Sequence, residues 1–317
     1  MKKALITGIS GSGASYLADF LLSQDLDVHG IARWHSTSDN RNLKKIIDKI
    51  TVHECDLLDL SSVIRTLRKV KPDFIFHLAS HANVRSCFDN PIAVMNNNVN
   101  CTINLFEAIR LENLDPIIQL CGTSEVYGQV KSEDLPITEE NKIDPVNIYA
   151  ISKLTQEKIA KSYHLAYDMK VVITRMFAYI NPRRPDIFSS AFTKKIVDIE
   201  RGERKTLTHG NLESTRTLID VRDAMESYWI ASNKCIYGEE YNIGGETVIT
   251  VGEFLDVLKM KARTEIPSEV DPTLFRPVDV TLQVPSVEKF RKQTGWYPKY
   301  SFEDSVELLL DYYRNEN

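Results

Sequence analysis

Residues 7–16, TGISGSGASY, constrain the fold more than any other stretch of the chain. The apolar run KALI precedes them and LADFLL follows, so the order reads strand, glycine-rich turn, helix. Gly8 and Gly11 permit a tight turn and a close backbone approach. The N-terminus of the helix that follows offers unpaired N–H groups to an anion. The pattern G-x-G-x-x-G is absent, because its sixth position falls on Tyr16. The spacing is instead Gly8, Gly11, Ala14, with a methyl where helix and strand pack most closely. An ordinary strand-to-helix turn would carry the same three small residues, so a phosphate ligand needs further support.

That support comes from the rhythm of the first half. Apolar runs VHGIAR, ITVHE, DFIFHLA, PIIQLCG and KVVITRMF alternate with helical patterns over 15–22, 61–70, 93–109 and 149–167. Strands that are apolar throughout and separated by helices predict a parallel sheet covered on both faces. The fold class is α/β: a Rossmann-type doubly wound sheet with a smaller C-terminal lobe. Beyond Phe177, prolines at 182, 185, 267, 272, 277, 285 and 298 break the rhythm. Residues 1–176 are expected to bind the cofactor. Residues 177–317 are expected to form mainly an irregular substrate lobe, with VGEFLDVLKM and FEDSVELLLDYY as helices and with segments that can return to the first domain.

Composition narrows the function classes. A net charge of −5 gives no basic field for nucleic acid. Five cysteines (55, 87, 101, 121, 235) without a C-x-x-C pair predict reduced thiols in a cytoplasmic protein. No run is long enough to span a membrane, and no His/Cys/Asp/Glu cluster has metal-ligand spacing.

If the first turn holds a dinucleotide, the end of the second strand selects it. An acid there bonds the ribose of NAD, whereas an arginine accommodates the 2′-phosphate of NADP. The run Ile31-Ala32-Arg33-Trp34 has Arg33 and no acid, which predicts NADP, with Arg41 as a second contact. Asp56 and Leu57, after the third strand, are placed at the adenine edge. Tyr-x-x-x-Lys puts a phenol and an ammonium on one helix face, where the lysine is expected to lower the tyrosine pKa. Tyr127–Lys131 crosses Gly128, so the helical argument fails there. Tyr149–Lys153 opens a clean helical pattern. Thr123-Ser124-Glu125 follows the strand PIIQLCG, at the carboxyl edge where such sheets bind ligands. There Thr123 and Glu125 add a hydroxyl and a second acid/base group.

These residues resemble the extended short-chain dehydrogenase/reductases, and most closely the GDP-mannose 4,6-dehydratases. The likeness is carried by ALITGISGSGASYLADFLL, ARWHSTSDNRNL, VKPDFIFHLAS, GTSEVYG, YAISK, NPRRPDIF, GNLESTR and FRPVDV, over nearly the whole chain. It implies tightly held NADP contacted by Gly8, Gly11, Ser12, Gly13, Arg33, Asp56, Leu57, Leu78, Ala79, Tyr149 and Lys153. It implies a catalytic set of Thr123, Glu125, Tyr149 and Lys153. Ser86, Arg216 and Arg276 are implied for a GDP-sugar substrate, with Arg276 favoured over Arg216 for the diphosphate. The reaction would remove water from a GDP-hexose to leave a 4-keto-6-deoxy sugar. The loop 33–41 resembles one that reaches a neighbouring subunit, which implies a homo-oligomer, a tetramer or dimer. Three departures bear on the sugar: Ala178 where the family has Asn, Trp34 where it has a second Arg, and Arg216-Thr217-Leu218 where it has Arg-Asp-Trp. The substrate is then GDP-mannose or a related GDP-sugar such as GDP-N-acetylglucosamine. The rival readings are an NADPH-dependent reductase of a GDP-4-keto-6-deoxy sugar, a 4-epimerase and a non-catalytic NADP-binding sensor.

Overall fold

The computed structural model describes residues 1–33 and 40–316. Its strands are β1 (Lys3–Thr7), β2 (Asp27–Ala32), β3 (Thr51–Glu54), β4 (Phe74–His77), β5 (Ile117–Cys121), β6 (Val171–Met176), β7 (Tyr179–Ile180), β8 (Leu207–His209), β9 (Thr215–Asp220), β10 (Glu240–Ile243), β11 (Thr247–Thr250), β12 (Ser268–Val270) and β13 (Leu282–Gln283). Its helices are α1 (Ser12–Leu22), α2 (Leu60–Val70), α3 (Ser86–Asp89), α4 (Pro91–Leu111), α5 (Ile148–Tyr167), α6 (Phe188–Glu200), α7 (Val221–Lys234), α8 (Val251–Met260), α9 (Glu288–Thr294) and α10 (Phe302–Asn315).

Seven strands form one sheet in the order β10-β6-β5-β4-β1-β2-β3, and every pairing in it is parallel. This is the doubly wound sheet that the alternating sequence implies. Successive side chains of a strand point to opposite faces, and the core divides accordingly. Ala4, Ile6, Phe74 and Phe76 join α1 and α7 residues on one face. Leu5, Ile75, Ile118 and Leu120 join α2, α4 and α5 residues on the other. The chain reverses winding direction between β1 and β4, so their carboxyl ends flank the switch point where open α/β sheets bind ligands.

The C-terminal third is more regular than its prolines suggest. α7 starts where the Asp220 carboxylate accepts a hydrogen bond from Arg222 N at 2.8 Å. Its Ala224, Met225, Tyr228 and Ala231 are buried in the first core face. β10 then pairs with β6 in the main sheet. The remaining strands build a small sheet of β11, β9 and β13, with β7 also on β9. A separate core of Phe192, Ile196, Phe254, Leu258 and Leu309 packs α6, α8 and α10 together. Capping boxes at Thr250/Glu253 and Ser301/Asp304 start α8 and α10, the two helices that the sequence pattern anticipates here.

Candidate functional site

Gly8 ends β1 in the left-handed region, at φ +69°, and a Cβ there would stand 3.1 Å from Ala79 Cα. Only glycine meets both demands without strain. Gly11 is the N-cap of α1 and supplies no side-chain cap, and no acid occupies the first turn. The N–H groups of that turn are therefore available to an anion. The Tyr179 hydroxyl lies against Gly13, 3.1 Å from where a Cβ would be.

The floor beside this turn is fixed by a buried polar chain. Thr7 Oγ1 accepts from Leu78 N (3.1 Å) and Ala79 N (3.0 Å) and lies 2.9 Å from His77 Nδ1. His77 Nε2 is 3.0 Å from Thr102 Oγ1, which donates to Asn98 O at 2.8 Å. These bonds hold the ends of β1 and β4 at one height.

A cleft of about 900 Å³ opens over these strand ends toward the small lobe. Its wall includes Gly8, Gly11, Ser12, Gly13 and Leu78 from the turn region. It also includes Thr123, Glu125, Tyr149 and Lys153, and, from the lobe, Arg216 and Arg276. Thr123 is the N-cap of a 3-10 turn, Ser124–Tyr127, and its Oγ1 accepts from Glu125 N at 3.3 Å. Asn147 caps α5, its Oδ1 accepting from Ala150 N at 2.8 Å, and so sets the phase of Tyr149 and Lys153. Its Nδ2 donates to Glu125 Oε2 at 3.0 Å. From the lobe, Gln283 Nε2 faces Glu125 Oε1 at 3.4 Å.

The electrostatics differ in one respect from the sequence expectation. Burial pushes the Tyr149 phenol well above the usual tyrosine range, and the charges opposing that shift come from Arg184, not Lys153. A hydrogen bond from Thr123 works in the same direction as Arg184. Lys153 is 3 % exposed, and burial lowers its own pKa, opposed by Cys121 and Glu157. No described residue hydrogen-bonds the Lys153 ammonium, although the side chain lines the cleft. A buried cation without a protein partner fits a polar ligand.

Other expected residues lie off the cleft wall. Ser86 starts α3 and spends its hydroxyl on Asn83 O at 3.0 Å. Asp56 is exposed and accepts from Leu58 N at 3.0 Å, whereas Leu57 is buried in the second core face. Ala79 stands behind Gly8. Arg33 is exposed at the end of β2, and most of the loop 33–41, Trp34 included, lies outside the described residues. The two lobe arginines are held differently. Arg216 is 8 % exposed, with its guanidinium on Val280 O (2.6 Å), Thr215 O and Thr281 O. Arg276 is more exposed and reaches Asp279 at 3.2 Å. Among the described residues no helix is long and apolar enough to cross a membrane.

Three side chains at the site were not singled out from the sequence. Arg184 donates to Ala82 O at 2.9 Å and bonds Tyr179 beside Tyr149. It lies in NPRRPDIF, a stretch noticed without a role. Asn147 has the identity of a helix cap, but nothing local points it at Glu125. Gln283 carries no sequence signal.

A parallel sheet with a glycine turn at its switch point, facing a Tyr/Lys helix across one cleft, defines a Rossmann-type protein of the short-chain dehydrogenase/reductase class. The family model described as GDP-mannose 4,6 dehydratase matches residues 5–309. The chain is 29% identical to the GDP-mannose 4,6-dehydratase of Yersinia enterocolitica, covering 96% of this chain and 91% of that protein. It is 30% identical to GDP-mannose 4,6 dehydratase 1 of Arabidopsis thaliana, covering 98% and 89%. In fold it is similar to RMD from Pseudomonas aeruginosa, solved with NADPH (TM-score 0.85, 23% identity, 99% of both chains). It is also similar to UDP-glucose 4-epimerase from Thermotoga maritima, solved with UDP-glucose (TM-score 0.87, 23% identity, 98% of both chains). The chain belongs to the GDP-mannose 4,6-dehydratase family. That match does not favour the reductase, epimerase or sensor readings.

Proposed function

We propose that this protein is an NADP-dependent GDP-hexose 4,6-dehydratase that converts GDP-mannose, or a related GDP-sugar such as GDP-N-acetylglucosamine, to the GDP-4-keto-6-deoxy sugar. The observation that carries the reading is the convergence of Thr123, Glu125, Tyr149 and Lys153 on one cleft with the Gly8–Gly13 turn. The cofactor fits on three counts. The turn presents backbone alone, the first turn of α1 is uncapped, and Lys153 is a buried cation without a protein partner. Gly8, Gly11, Ser12, Gly13, Leu78 and Lys153 would hold it, with Arg33 toward a 2′-phosphate. Bound NADP would supply the redox chemistry, a hydride acceptor for sugar C4 and the donor of the same hydride to C6.

The chain's own groups handle the protons. Tyr149 accepts the 4-hydroxyl proton as C4 becomes a ketone, a role that needs its phenolate; Arg184 and Thr123 oppose the burial that keeps the phenol protonated, and the Lys153 ammonium and a bound cofactor would add the remaining stabilisation. Glu125 removes the C5 proton, which the 4-keto group has acidified, and delivers it to the 6-hydroxyl, which departs as water; once hydride has reached C6, the proton that Tyr149 took from the 4-hydroxyl is returned to C5. Thr123 bonds the reacting oxygen. Water is the only product besides the keto sugar, and no net oxidation occurs. Arg216 and Arg276 supply cations for the diphosphate, with Ser86 as a more remote sugar contact. In this reading residues 1–176 form the cofactor domain and 177–317 the substrate lobe, whose α7 and β10 complete the first domain. Five free cysteines support a cytoplasmic setting, and the loop 33–41 supports a homo-oligomer.

The test is incubation of the purified protein with GDP-mannose and related GDP-sugars, without added nicotinamide, and mass spectrometry of the products. Loss of one water, abolished in Glu125→Gln, is expected. Absence of water loss from every GDP-hexose, with NADPH consumed on a 4-keto-6-deoxy sugar, would refute the reading.

A further inference from the structure

The Glu125 carboxylate is gripped by two amides from opposite halves of the molecule. Asn147 Nδ2 donates to Oε2 at 3.0 Å, and Gln283 Nε2 approaches Oε1 at 3.4 Å. The orientation of Asn147 is not free. Its Oδ1 must accept from Ala150 N (2.8 Å) to cap α5, so the NH₂ end is the one turned to Glu125. Asn147 is 5 % exposed and forms no part of the cleft wall, so it reaches the substrate only through Glu125. Two residues on from this cap stands Tyr149, and six on stands Lys153. One side chain thus ties the second acid/base group to the start of the helix that carries the first. Gln283 lies on β13, in register with Arg216 on β9, and so brings the lobe's strand up to the same carboxylate.

We infer that Asn147 is a positioning residue that aims Glu125 at the sugar, with Gln283 as the second arm of the clamp. This rests on the dehydratase reading above. Two N–H donors fix both oxygens of the carboxylate, which a base abstracting a carbon-bound proton needs. The oxidation at C4 uses Tyr149 and does not need Glu125. Loosening the clamp should therefore slow water loss while leaving the first half-reaction intact. That uncoupling distinguishes aiming from general support of the fold.

Asn147→Ser is the decisive variant, because serine still caps a helix but cannot donate to Glu125 from that position. Gln283→Leu removes the other arm. The holoenzyme as purified is mixed with GDP-mannose and the GDP-sugar panel. Two signals are followed: the near-ultraviolet absorbance of reduced nicotinamide and the mass loss of water. In Asn147→Ser the expected result is a fall of about 10- to 100-fold in kcat for water loss, the scale of a small misplacement of a reacting group. The KM should change less than about twofold, and reduced cofactor, absent in the unmodified enzyme, should accumulate. Gln283→Leu should give a smaller effect in the same direction, and the double variant should exceed either. Water loss at the unmodified rate in Asn147→Ser would overturn the clamp. So would an equal loss of cofactor reduction and water loss, which would make Asn147 a helix cap alone. An unmodified enzyme that neither reduces its cofactor nor loses water with any GDP-hexose would remove the dehydratase reading itself, and the clamp with it.

Discussion

Acidification should destabilise this protein through His77 before most of its surface charge responds. His77 is 1 % exposed at the end of β4. Thr7 Oγ1 already accepts from two backbone N–H groups, so its own proton goes to His77 Nδ1. The ring is then the neutral tautomer with Nε2–H donating to Thr102. A second proton on Nδ1 would face a hydroxyl already committed as donor. Burial, aided by the Lys153 cation, lowers the His77 pKa from 6.5 to about 3. The sign follows from proton binding. Between those values the unfolded chain holds a proton that the native state refuses, so stability falls as pH drops from about 6.5 toward about 3. The slope is about 1.4 kcal/mol per pH unit, or about 2 kcal/mol by about pH 5. Urea unfolding of the protein and of His77→Gln, at several pH values from about 7 to about 5, isolates this share, since the other titrating groups are common to both. The variant should start less stable and lose stability less steeply. Parallel pH curves, agreeing in slope to within about 0.5 kcal/mol over that range, would refute the tautomer argument.

The turn that carries Glu125 supplies a second test. Tyr127 is 1 % exposed, donates to Asn242 Oδ1 at 2.7 Å and accepts from Arg175 Nη1 at 3.0 Å. Tyr127→Phe strands both partners and should cost about 2–4 kcal/mol, read as a lower urea midpoint at unchanged m-value; a cost under about 0.5 kcal/mol would show that the network repacks freely. Gly8→Ala forces a side chain into φ +69° and against Ala79. It should destabilise the fold by about 1–3 kcal/mol and weaken NADP binding by more than about tenfold in a fluorescence titration, so unchanged affinity would remove the turn from the cofactor site.

What could be read from the residues alone depended on how local the physics is. Apolar strands alternating with helices are a one-dimensional signal, and a doubly wound parallel sheet is nearly the only way to bury them. Gly8, Gly11 and the Tyr149–Lys153 pair are likewise legible, because a turn and one helical face each depend on residues a few positions apart. α7 and β10 escaped notice, because a strand of four residues that returns to a sheet across 67 positions leaves no periodic trace. The electrostatic surroundings of Tyr149 were hidden for a related reason. Spacing places Lys153 one turn from Tyr149, but burial, the neighbouring Cys121 and Arg184, thirty-five residues away in sequence, also act on the tyrosine's pKa. The same holds for Glu125. Its partners Asn147 and Gln283 lie 22 and 158 residues distant, and only folding brings their amides to its carboxylate. Sequence proximity thus named the groups that carry the chemistry. The groups that tune and aim them are set by tertiary contact, and in this cleft those are the residues whose substitution should separate the two half-reactions.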